Sequence, residues 1–415
     1  MAIEKTVIVL GGGIVGICSA LALMEGGLKV VLIDKQEPGQ GASYGNAGVI
    51  SPWSVVPQSI PGLWRYLPGW LLNSDGPIAI RPGYLPTLLP WGIKFLNQGT
   101  PEKIKRISEA MSTLNRSNVM LYRSLLRNTG NEHLITDSYY VHAFRQEHKI
   151  DVNSADYQFR KARGAVIEQI GQQELRVLEP SLAKDFKGAV LIKGQARTLA
   201  PGEVGRVLLG KFLALGGTVL TENIQSLNPK DGGWKLTTTS QVHQSDTVVI
   251  AMGAWSAKLL QSLEIKVPLE AERGYHIRYP DSQTCLNHSV MDVDLKLVAS
   301  SMSSGLRLAG TAEFTGLDRA PSEKRISSLI SIAGKMIPSL KEQTPKTWMG
   351  TRPSMPDSLP CIGESKKHPG LFTAFGHGHC GFMMAPRTGE LIAELVLGKS
   401  PSVDLDCFRP ERFNS

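Results

Sequence analysis

Residues 6–34, TVIVLGGGIVGICSALALMEGGLKVVLID, decide the fold of this chain. The run from Thr6 to Leu10 combines β-branched and aliphatic residues, the pattern of a parallel strand that is buried on both faces. A helical stretch from Ile14 to Met24 ends at two glycines, and a second apolar strand, Lys29 to Ile33, follows it. This order predicts a βαβ unit, the start of a parallel sheet with helices on its faces.

The glycines of this unit have the spacing of a nucleotide-binding turn. Gly11 allows a tight turn, Gly13 lets backbone amides approach a pyrophosphate, and Gly16 lets helix and strand pack closely. Asp34, at the end of the second strand, is placed to accept hydrogen bonds from a ribose diol. Its charge disfavours NADP, although the neighbouring Lys35 weakens that argument. The unit alone does not distinguish NAD from FAD.

The uncharged stretch from Val7 to Met24 is long enough to raise the alternative of a membrane helix or a signal peptide. Its internal glycines, the acidic Glu4 ahead of it and the lack of an Ala-x-Ala cleavage pattern argue against both. We therefore interpret it as a strand, a turn and a helix of a globular domain.

Composition excludes several classes of protein. The chain has 415 residues, 42% of them hydrophobic and 20% charged, enough to bury a large core in two or three domains. Its net charge of +8 suits an anionic cofactor, substrate or membrane surface. The sequence contains no basic stripe with interleaved aromatic residues, so it does not predict nucleic-acid binding. Five scattered cysteines without a Cys-x-x-Cys pair predict neither a disulfide framework nor a metal site.

Two later segments have unusual compositions. Residues 36–48 form a glycine-rich loop of the kind that wraps a ligand. Residues 60–99 mix tryptophans, prolines and scattered basic residues, and the prolines forbid a long membrane-spanning helix. The segment is interpreted either as an irregular excursion packed on the rest of the protein or as an aromatic and basic surface that rests on a membrane.

The remaining chain alternates between two patterns. Helices are predicted over Pro101–Arg127 and Val204–Gly216, and strands over Thr218–Leu220, Trp234–Thr239 and Thr247–Met252. The last of these runs into a small-residue turn, so the chain is expected to return to the first sheet. Between about Pro268 and Gln343 the alternating strands Gly274–Tyr279, Leu295–Ser300 and Leu306–Ala309 predict a separate antiparallel sheet. A further helix is predicted to begin near Pro386, after two glycine-flanked histidines.

Several of these motifs together resemble those of one flavoprotein family. The sequence is similar to the D-amino acid dehydrogenase and glycine oxidase group of the D-amino acid oxidase-like family, over nearly the whole chain. The motifs that carry the resemblance are the glycine turn with Asp34, residues 42–48, Pro201, residues 251–255, Arg273-Gly274-Tyr275, residues 348–353 and residues 376–378. Residues 46–52 and 76–82 are more similar to the bacterial dehydrogenases, whereas residues 384–389 are more similar to glycine oxidase, so the substrate stays open.

The resemblance implies an α/β fold. A Rossmann-like, glutathione-reductase-like FAD-binding domain would comprise residues 1–60, 195–268 and 345–415. An interleaved substrate domain with an antiparallel sheet would comprise residues 61–194 and 269–344.

The resemblance also implies non-covalently bound FAD. Asp34 would bind the adenosine ribose, Ser43 the diphosphate, and the Ile224 backbone the adenine, while residues 46–48 and 381–383 would flank the isoalloxazine ring. A helix start beside the ring would stabilise the negative charge of the reduced flavin. The full set of expected cofactor-binding residues is Gly11, Gly13, Ile14, Val15, Gly16, Asp34, Lys35, Ala42, Ser43, Asn46, Ala47, Gly48, Ile50, Ile224, Ala251, Gly253, Gly350, Gly378, Gly381, Phe382 and Met383.

Three residues are expected to serve catalysis. Arg352 lies on a constrained backbone between Gly350 and Pro353, and a guanidinium fixed in one plane can bind a carboxylate through two parallel hydrogen bonds. Tyr275 is expected either to donate a second hydrogen bond to that carboxylate or to be a core tyrosine. His377 is expected near the flavin or the substrate amine without serving as a base, and His379 is expected to be structural or exposed.

The implied reaction is oxidative deamination of a small D-amino acid or of a cyclic imino acid such as a D-proline derivative. Hydride would pass from Cα to flavin N5, and the electrons would then pass to a quinone. The protein would be cytoplasmic, in peripheral contact with the cytoplasmic face of a bacterial inner membrane. Open alternatives are a glycine or sarcosine oxidase that forms hydrogen peroxide from oxygen, a non-catalytic flavoprotein of the same fold, and a nicotinamide-dependent dehydrogenase.

Overall fold

A computed structural model describes residues 6–73 and 75–413. The first sheet is built around the predicted βαβ unit. It has six strands, which are parallel except for the strand at one edge. In spatial order they are β18 (Cys361–Glu364), β19 (Leu371–Phe375), β12 (Thr247–Ile250), β1 (Thr6–Leu10), β2 (Lys29–Asp34) and β8 (Thr218–Thr221).

A second, ten-stranded sheet is mostly antiparallel. Its main path is β17 (Lys346–Ser354), β13 (Glu270–Tyr279), β16 (Gly305–Phe314), β15 (Leu297–Met302), β14 (Ser289–Asp292), β5 (Ile135–Phe144), β7 (Gly188–Thr198) and β3 (Val49–Ile50), with β4 (Ile78–Ile80) beside β16 and β6 (Ile167–Gly171) beside β7. A small third sheet contains β9 (Ile224–Lys230), β10 (Gly233–Thr238) and β11 (Val242–Ser245).

Helices cover both sheets. They are α1 (Ile14–Glu25), α2 (Leu67–Leu72), α3 (Leu85–Leu96), α4 (Pro101–Asn115), α5 (Asn118–Leu126), α6 (Ala155–Lys161), α7 (Gln172–Leu178), α8 (Pro201–Ala214), α9 (Ser256–Gln261), α10 (Glu323–Met336) and α11 (Gly381–Val396). Among the described residues no helix combines the length and the apolar character needed to span a membrane.

The predicted α/β class and the pairing of a parallel with an antiparallel sheet are confirmed. The strands of the first sheet are buried because α1, α8 and α11 cover one face and the three-stranded sheet with α9 covers the other. The return of the chain to this sheet at Thr247 is also confirmed, since β12 pairs with β1.

Several predicted element boundaries differ from the structure. The single helix predicted over residues 101–127 is two helices, α4 and α5, separated at Arg116 and Ser117. The last helix begins at Gly381, five residues before Pro386. Proline cannot donate to the Phe382 carbonyl four residues earlier, and the Tyr122 hydroxyl donates to that oxygen instead at 2.5 Å. This substitute hydrogen bond explains how the helix tolerates an internal proline.

The contact between α1 and α11 depends on a glycine. A Cβ on residue 389 would lie 2.5 Å from the Cys18 carbonyl oxygen, closer than any normal contact. We therefore expect Gly389→Ala to lower the apparent midpoint of thermal unfolding, because overpacking costs about 1 to 3 kcal/mol. Gly210→Ala makes the same chemical change within helix α8, where a Cβ meets open space. It should raise the midpoint slightly, since alanine is the better helix former. Equal effects of the two changes would contradict this account of the packing.

Candidate active site

A cavity of about 1720 Å³ lies against both large sheets. It is larger than the roughly 300–1,000 Å³ of ordinary small-molecule pockets. The carboxyl ends of β1, β2 and β12 contribute to one part of its wall, the place where ligands bind in open parallel sheets. One face of the ten-stranded sheet forms another part, and α2 and α3 contribute apolar side chains.

The glycine turn at the end of β1 is packed against β12. Gly11 has φ +105°, and a Cβ there would lie 2.4 Å from the Ala251 carbonyl oxygen. A Cβ on Gly16 would lie 1.8 Å from the Gly11 carbonyl oxygen. By contrast, a Cβ on Gly13 would meet only the Ser43 hydroxyl, at 3.7 Å. The first and third glycines are therefore needed for packing within the protein, and the second leaves space on the cavity side.

Two polar side chains fix this turn. The Gly12 N–H donates to the Asp34 carboxylate at 2.6 Å, and the Ile14 N–H donates to Ser43 Oγ at 3.0 Å. Because Ser43 Oγ acts as an acceptor in that bond, its own proton stays available to a ligand. Both residues line the cavity, so a polar ligand beside the helix start would find a carboxylate acceptor and a hydroxyl donor.

Most of the predicted cofactor-binding residues line this one cavity. They are Gly11, Gly13, Ile14, Val15, Asp34, Lys35, Ala42, Ser43, Asn46, Ala47, Ile224, Ala251, Gly253, Gly350, Gly378, Gly381, Phe382 and Met383. The structure places the other three elsewhere. Gly16 packs behind the turn, Ile50 is buried in the hydrophobic core, and Gly48, with φ +82°, approaches the Thr198 carbonyl. These three therefore support the fold of the site and do not line it.

The start of α11 also lies at the cavity. Gly381, Phe382 and Met383 form the first turn of this helix and line the wall. Unpaired backbone N–H groups and the helix dipole at such a start favour negative charge nearby. A helix was expected to start beside the flavin ring. Helix α11 does start at the cavity, at Gly381, five residues before the predicted Pro386.

Trp348 forms part of the wall between the loop of residues 42–48 and the ten-stranded sheet. Its ring stacks on His276 at 4.8 Å between centroids. A Cβ on Gly45 would lie 2.0 Å from this indole, and one on Gly350 would lie 2.1 Å from it. The glycine predicted as a cofactor contact at residue 350 is thus also required to make room for Trp348.

Arg352 lines the cavity, and residues of β13 and β16 fix the position of its side chain. Its Nη1 donates to Glu272 Oε1 at 2.8 Å and to the Thr311 carbonyl at 3.0 Å. A Cβ on Gly274 would lie 2.2 Å from Nη2, so the guanidinium passes directly over this glycine. Nε and Nη2 have no hydrogen-bond partner among residues 6–73 and 75–413. One edge of the guanidinium is anchored, and the other edge is available to an anion.

Glu272 connects three parts of the site. This buried carboxylate also accepts hydrogen bonds from Ser354 at 2.7 Å and pairs with His379 Nε2 at 2.6 Å. Burial by itself would raise the pKa of Glu272, but His379, Arg352 and Ser354 together lower it well below the usual range. The residue is therefore an anion at neutral pH and offsets the positive charge of Arg352.

Tyr275 does not present its hydroxyl to Arg352. The residue follows Gly274 on β13, so its side chain points to the opposite face of the sheet, where its ring joins a hydrophobic cluster. The hydroxyl donates to Glu313 at 2.5 Å and accepts from the Ser322 N–H at 3.0 Å. Of the two roles expected for Tyr275, the structure favours the core tyrosine.

His377 lines the cavity but is buried, with Nε2 3.0 Å from the Thr388 hydroxyl. Burial lowers its pKa to about 3, so the imidazole is neutral. This agrees with the expectation that it is not a base. His379, which the sequence suggested to be structural or exposed, is half-exposed to the cavity and paired with Glu272.

Sequence reasoning missed several residues on the cavity wall. Glu272, Thr311 and His142 occupy strands, and Lys296 lies in the turn before β15, but no motif marks them. Glu272 could have been found from the pattern Glu-Arg-Gly-Tyr, because Gly274 between two polar residues indicates a close approach of another group. Within the described part of the chain no cluster of His, Cys, Asp and Glu is arranged to hold a metal ion.

Comparisons with known proteins agree with this geometry. The profile of a family described as FAD dependent oxidoreductase matches residues 6–395. A D-amino-acid oxidase from Bradyrhizobium diazoefficiens is 38% identical over 420 aligned residues, which cover 99% of each chain. A D-amino acid dehydrogenase 2 from Mesorhizobium japonicum is 29% identical over 95% of this chain and 97% of that protein.

Solved structures share the fold. A glycine oxidase from Geobacillus kaustophilus superposes with a TM-score of 0.75 at 23% sequence identity, covering 98% of this chain and 99% of that one. At this identity the similarity concerns the fold alone.

The residues present fit the FAD of the family description. Space beside Gly13, the Asp34 carboxylate and the available Ser43 proton suit an adenosine diphosphate group, and the start of α11 suits the negative charge of a reduced ring. Ile224, where the adenine is expected, and Phe382, where the flavin ring is expected, line the same cavity, as the binding of one dinucleotide requires.

The close approach at Gly16 predicts a specific defect in cofactor binding. Gly16→Ala should force α1 away from the turn, and the purified protein should contain less FAD per chain than the wild type, as measured by the ratio of flavin to protein absorbance. Gly205→Ala is the control, because its Cβ would lie an ordinary 3.9 Å from Gly39. A full complement of FAD in Gly16→Ala would contradict the role given to this packing.

Proposed function

We propose that this chain, which belongs to the FAD-dependent oxidoreductase family, oxidises a small D-amino acid or cyclic imino acid at its Cα–N bond. The family and the FAD cofactor predicted from the sequence are confirmed, and so is the class of enzyme. The nicotinamide-dependent alternative is thereby set aside. The substrate, the stereochemistry and the electron acceptor are our proposals.

The available edge of Arg352 carries this proposal. Nε and Nη2 can donate two parallel hydrogen bonds to the α-carboxylate of an amino acid, the geometry that arginine favours with carboxylates. The contacts of Nη1 with Glu272 and the Thr311 carbonyl fix the plane of the guanidinium before the substrate arrives. A preorganised group of this kind loses little freedom on binding. The non-catalytic alternative would give Nε and Nη2 of Arg352 no acceptor to bind.

The protein residues orient the substrate and limit the charge around it. Glu272 offsets the charge of Arg352, and the neutral His377 adds none. FAD, when bound, supplies the hydride acceptor for the Cα hydrogen, and the chemistry of oxidation belongs to the cofactor. The chain contributes the position of Cα and the walls of the cavity.

The segment of residues 60–99 supports a quinone acceptor. On α3, Leu88, Trp91 and Phe95 border the cavity, whereas Leu89 and Ile93 on the same helix are more than half exposed. This helix is therefore apolar towards both the cavity and the solvent. Exposed apolar side chains with basic neighbours are typical of a surface that rests on a membrane interface. We propose peripheral membrane contact here, with an apolar quinone reaching the cavity beside α3.

An oxidase is the second candidate. The relative at 38% identity is named a D-amino-acid oxidase, whereas the relative at 29% identity is named a dehydrogenase. Oxidases and dehydrogenases of this kind share amino acid oxidation and differ in the acceptor. The apolar faces of α3 have no evident use in an oxidase, and for this reason we prefer the quinone.

Anaerobic bleaching of the flavin by a panel of D- and L-amino acids and imino acids tests the function. We expect small D-substrates to bleach it, and Arg352→Ala to weaken their apparent binding by the equivalent of about 2 to 5 kcal/mol. Arg278→Ala, which removes a guanidinium bonded to the Ser304 carbonyl on the exposed surface, is the matched control. Unchanged bleaching by Arg352→Ala would remove this residue from the substrate site.

The acceptor is tested by a double variant of α3. Leu89→Glu with Ile93→Glu should reduce binding to vesicles that contain anionic lipid and should slow quinone reduction, while anaerobic bleaching by amino acids stays as in the wild type. Val177→Glu places a carboxylate on another side chain that is 83% exposed and serves as the control. Hydrogen peroxide formed in step with substrate consumption, without quinone, would instead establish the oxidase.

A further inference from the structure

Two residues next to the Arg352 site have a strained backbone. Thr311 has φ +67° and Lys296 has φ +55°. Left-handed backbone is uncommon for residues other than glycine and is a genuine outlier for a β-branched residue such as threonine. Strain of this kind is concentrated at functional sites, where the surrounding structure holds it in place.

The register of the sheet makes these two residues neighbours. Leu297 on β15 pairs with Gly310 on β16, so Lys296, in the turn before β15, and Thr311 each lie one residue beyond the same end of this pair. The pairing of β13 with β16 shifts at this level, which marks a β-bulge. Bulges beside active sites re-aim side chains. The Thr311 carbonyl is the same group that anchors Arg352 Nη1, so all three residues belong to one patch of the cavity wall.

The Thr311 hydroxyl has no hydrogen-bond partner among the residues that the structure describes. Oγ1 is fully buried and makes no hydrogen bond with any described residue, and the residue as a whole is 9% exposed. A buried hydroxyl without a partner is energetically costly, and such groups are rare in native proteins. Because Thr311 borders the cavity, a ligand there can complete this bond.

Lys296 is a cation on the same wall without a close counter-ion. It makes no hydrogen bond and no ion pair within 4.0 Å in the described part of the chain, although Asp156, Asp294 and Asp292 act on it at longer range. The nearest of these acids are already paired. Asp156 bonds Arg160 at 2.6 Å, and Asp294 bonds Lys149 at 2.6 Å. The positive charge of Lys296 is therefore left for the cavity.

His142 adds a neutral donor on this face. Its Nδ1 lies 2.9 Å from the Tyr157 hydroxyl, and its Nε2 is buried without a hydrogen bond to the described residues. Burial, with the charge of Arg160, lowers the pKa of His142 to about 3. The cavity wall thus presents a cation and a hydroxyl that can donate to an anion, and on β5 an imidazole that can donate when its proton is on Nε2.

We propose that Lys296 and Thr311 bind a second anionic group of the substrate, so that the preferred substrates are amino acids with a side-chain carboxylate. The inference rests on the proposed function, in which Arg352 binds the α-carboxylate. The Arg352 guanidinium reaches across β13 to the Thr311 carbonyl on β16, and the next strand, β15, lies about 4.8 Å beyond, a separation that the two carboxylates of a four- or five-carbon amino dicarboxylic acid can span. Charge-assisted bonds from an ammonium and a hydroxyl suit such a group.

The test compares isosteric substrates. D-aspartate and D-asparagine differ in charge at nearly constant size, and D-alanine lacks the distal group. Anaerobic bleaching followed by stopped flow separates the apparent dissociation constant from the limiting rate. The wild type should bind D-aspartate more tightly than D-asparagine. Lys296→Met should weaken D-aspartate binding by about 10- to 100-fold, as for the loss of a hydrogen bond to a charged group. Binding of D-alanine should be nearly unchanged.

Further variants separate recognition from other roles. Lys296→Arg keeps the charge and should retain most of the preference for D-aspartate. Thr311→Gly removes the hydroxyl and suits the left-handed backbone, so it should weaken D-aspartate binding without unfolding the protein. Lys367→Met, which removes a cation paired with Glu264 outside the cavity, is the matched control and should leave the preference intact.

Three outcomes overturn the inference. If Lys296→Met slows bleaching by all substrates alike, the lysine acts on the flavin and does not recognise the substrate. If D-alanine bleaches the wild type but D-aspartate has no advantage over D-asparagine, the inference fails and the proposed function stands. If no amino acid bleaches the flavin, the proposed function itself fails, and the inference falls with it.

Discussion

The ion pair between Glu272 and Arg352 organises the functional half of this protein. It joins neighbouring strands of the ten-stranded sheet, and through His379 it reaches the turn that precedes the last helix. A buried carboxylate is stable only when cations and donors surround it, and all of its partners here belong to the cavity wall. The orientation of the guanidinium therefore follows from the folded structure and does not wait for a ligand.

The cofactor side depends on a different constraint, the close approach of backbone segments. Around Gly11 and Gly16 the carbonyl groups of the protein occupy positions that a side chain would need. The chain beyond Thr247 returns to lie beside the first strand, and the last helix packs on the first one. Stretches from the two ends of the sequence thus form one wall of the cavity, and the ten-stranded sheet contributes another part of it.

The sequence predicts the cofactor side well, because its requirements are local. A strand, a glycine turn and a terminal acid lie within one continuous segment, and each residue type has a steric or polar reason. The substrate side was predicted less completely. Arg352 was predicted from its motif, but Glu272 and Thr311 come together with it only through the pairing of β17, β13 and β16. A strand shifted by one residue would turn these side chains to the other face, so spacing along the chain cannot identify them.

The start of α11 illustrates a second limit of sequence reasoning. Pro386 suggested a helix beginning at that residue, as proline prefers the first turn. Tyr122, from a distant helix, supplies the hydrogen bond that the proline lacks, and the helix begins at Gly381. Tertiary contacts of this kind override local preference.

The most direct test of the central claim is a crystal structure of the holoprotein with a small carboxylate that cannot be oxidised, such as benzoate. The account predicts that the carboxylate binds Nε and Nη2 of Arg352 while its ring faces the isoalloxazine of FAD. A structure with Arg352 remote from the flavin, or with the carboxylate bound elsewhere, would contradict it.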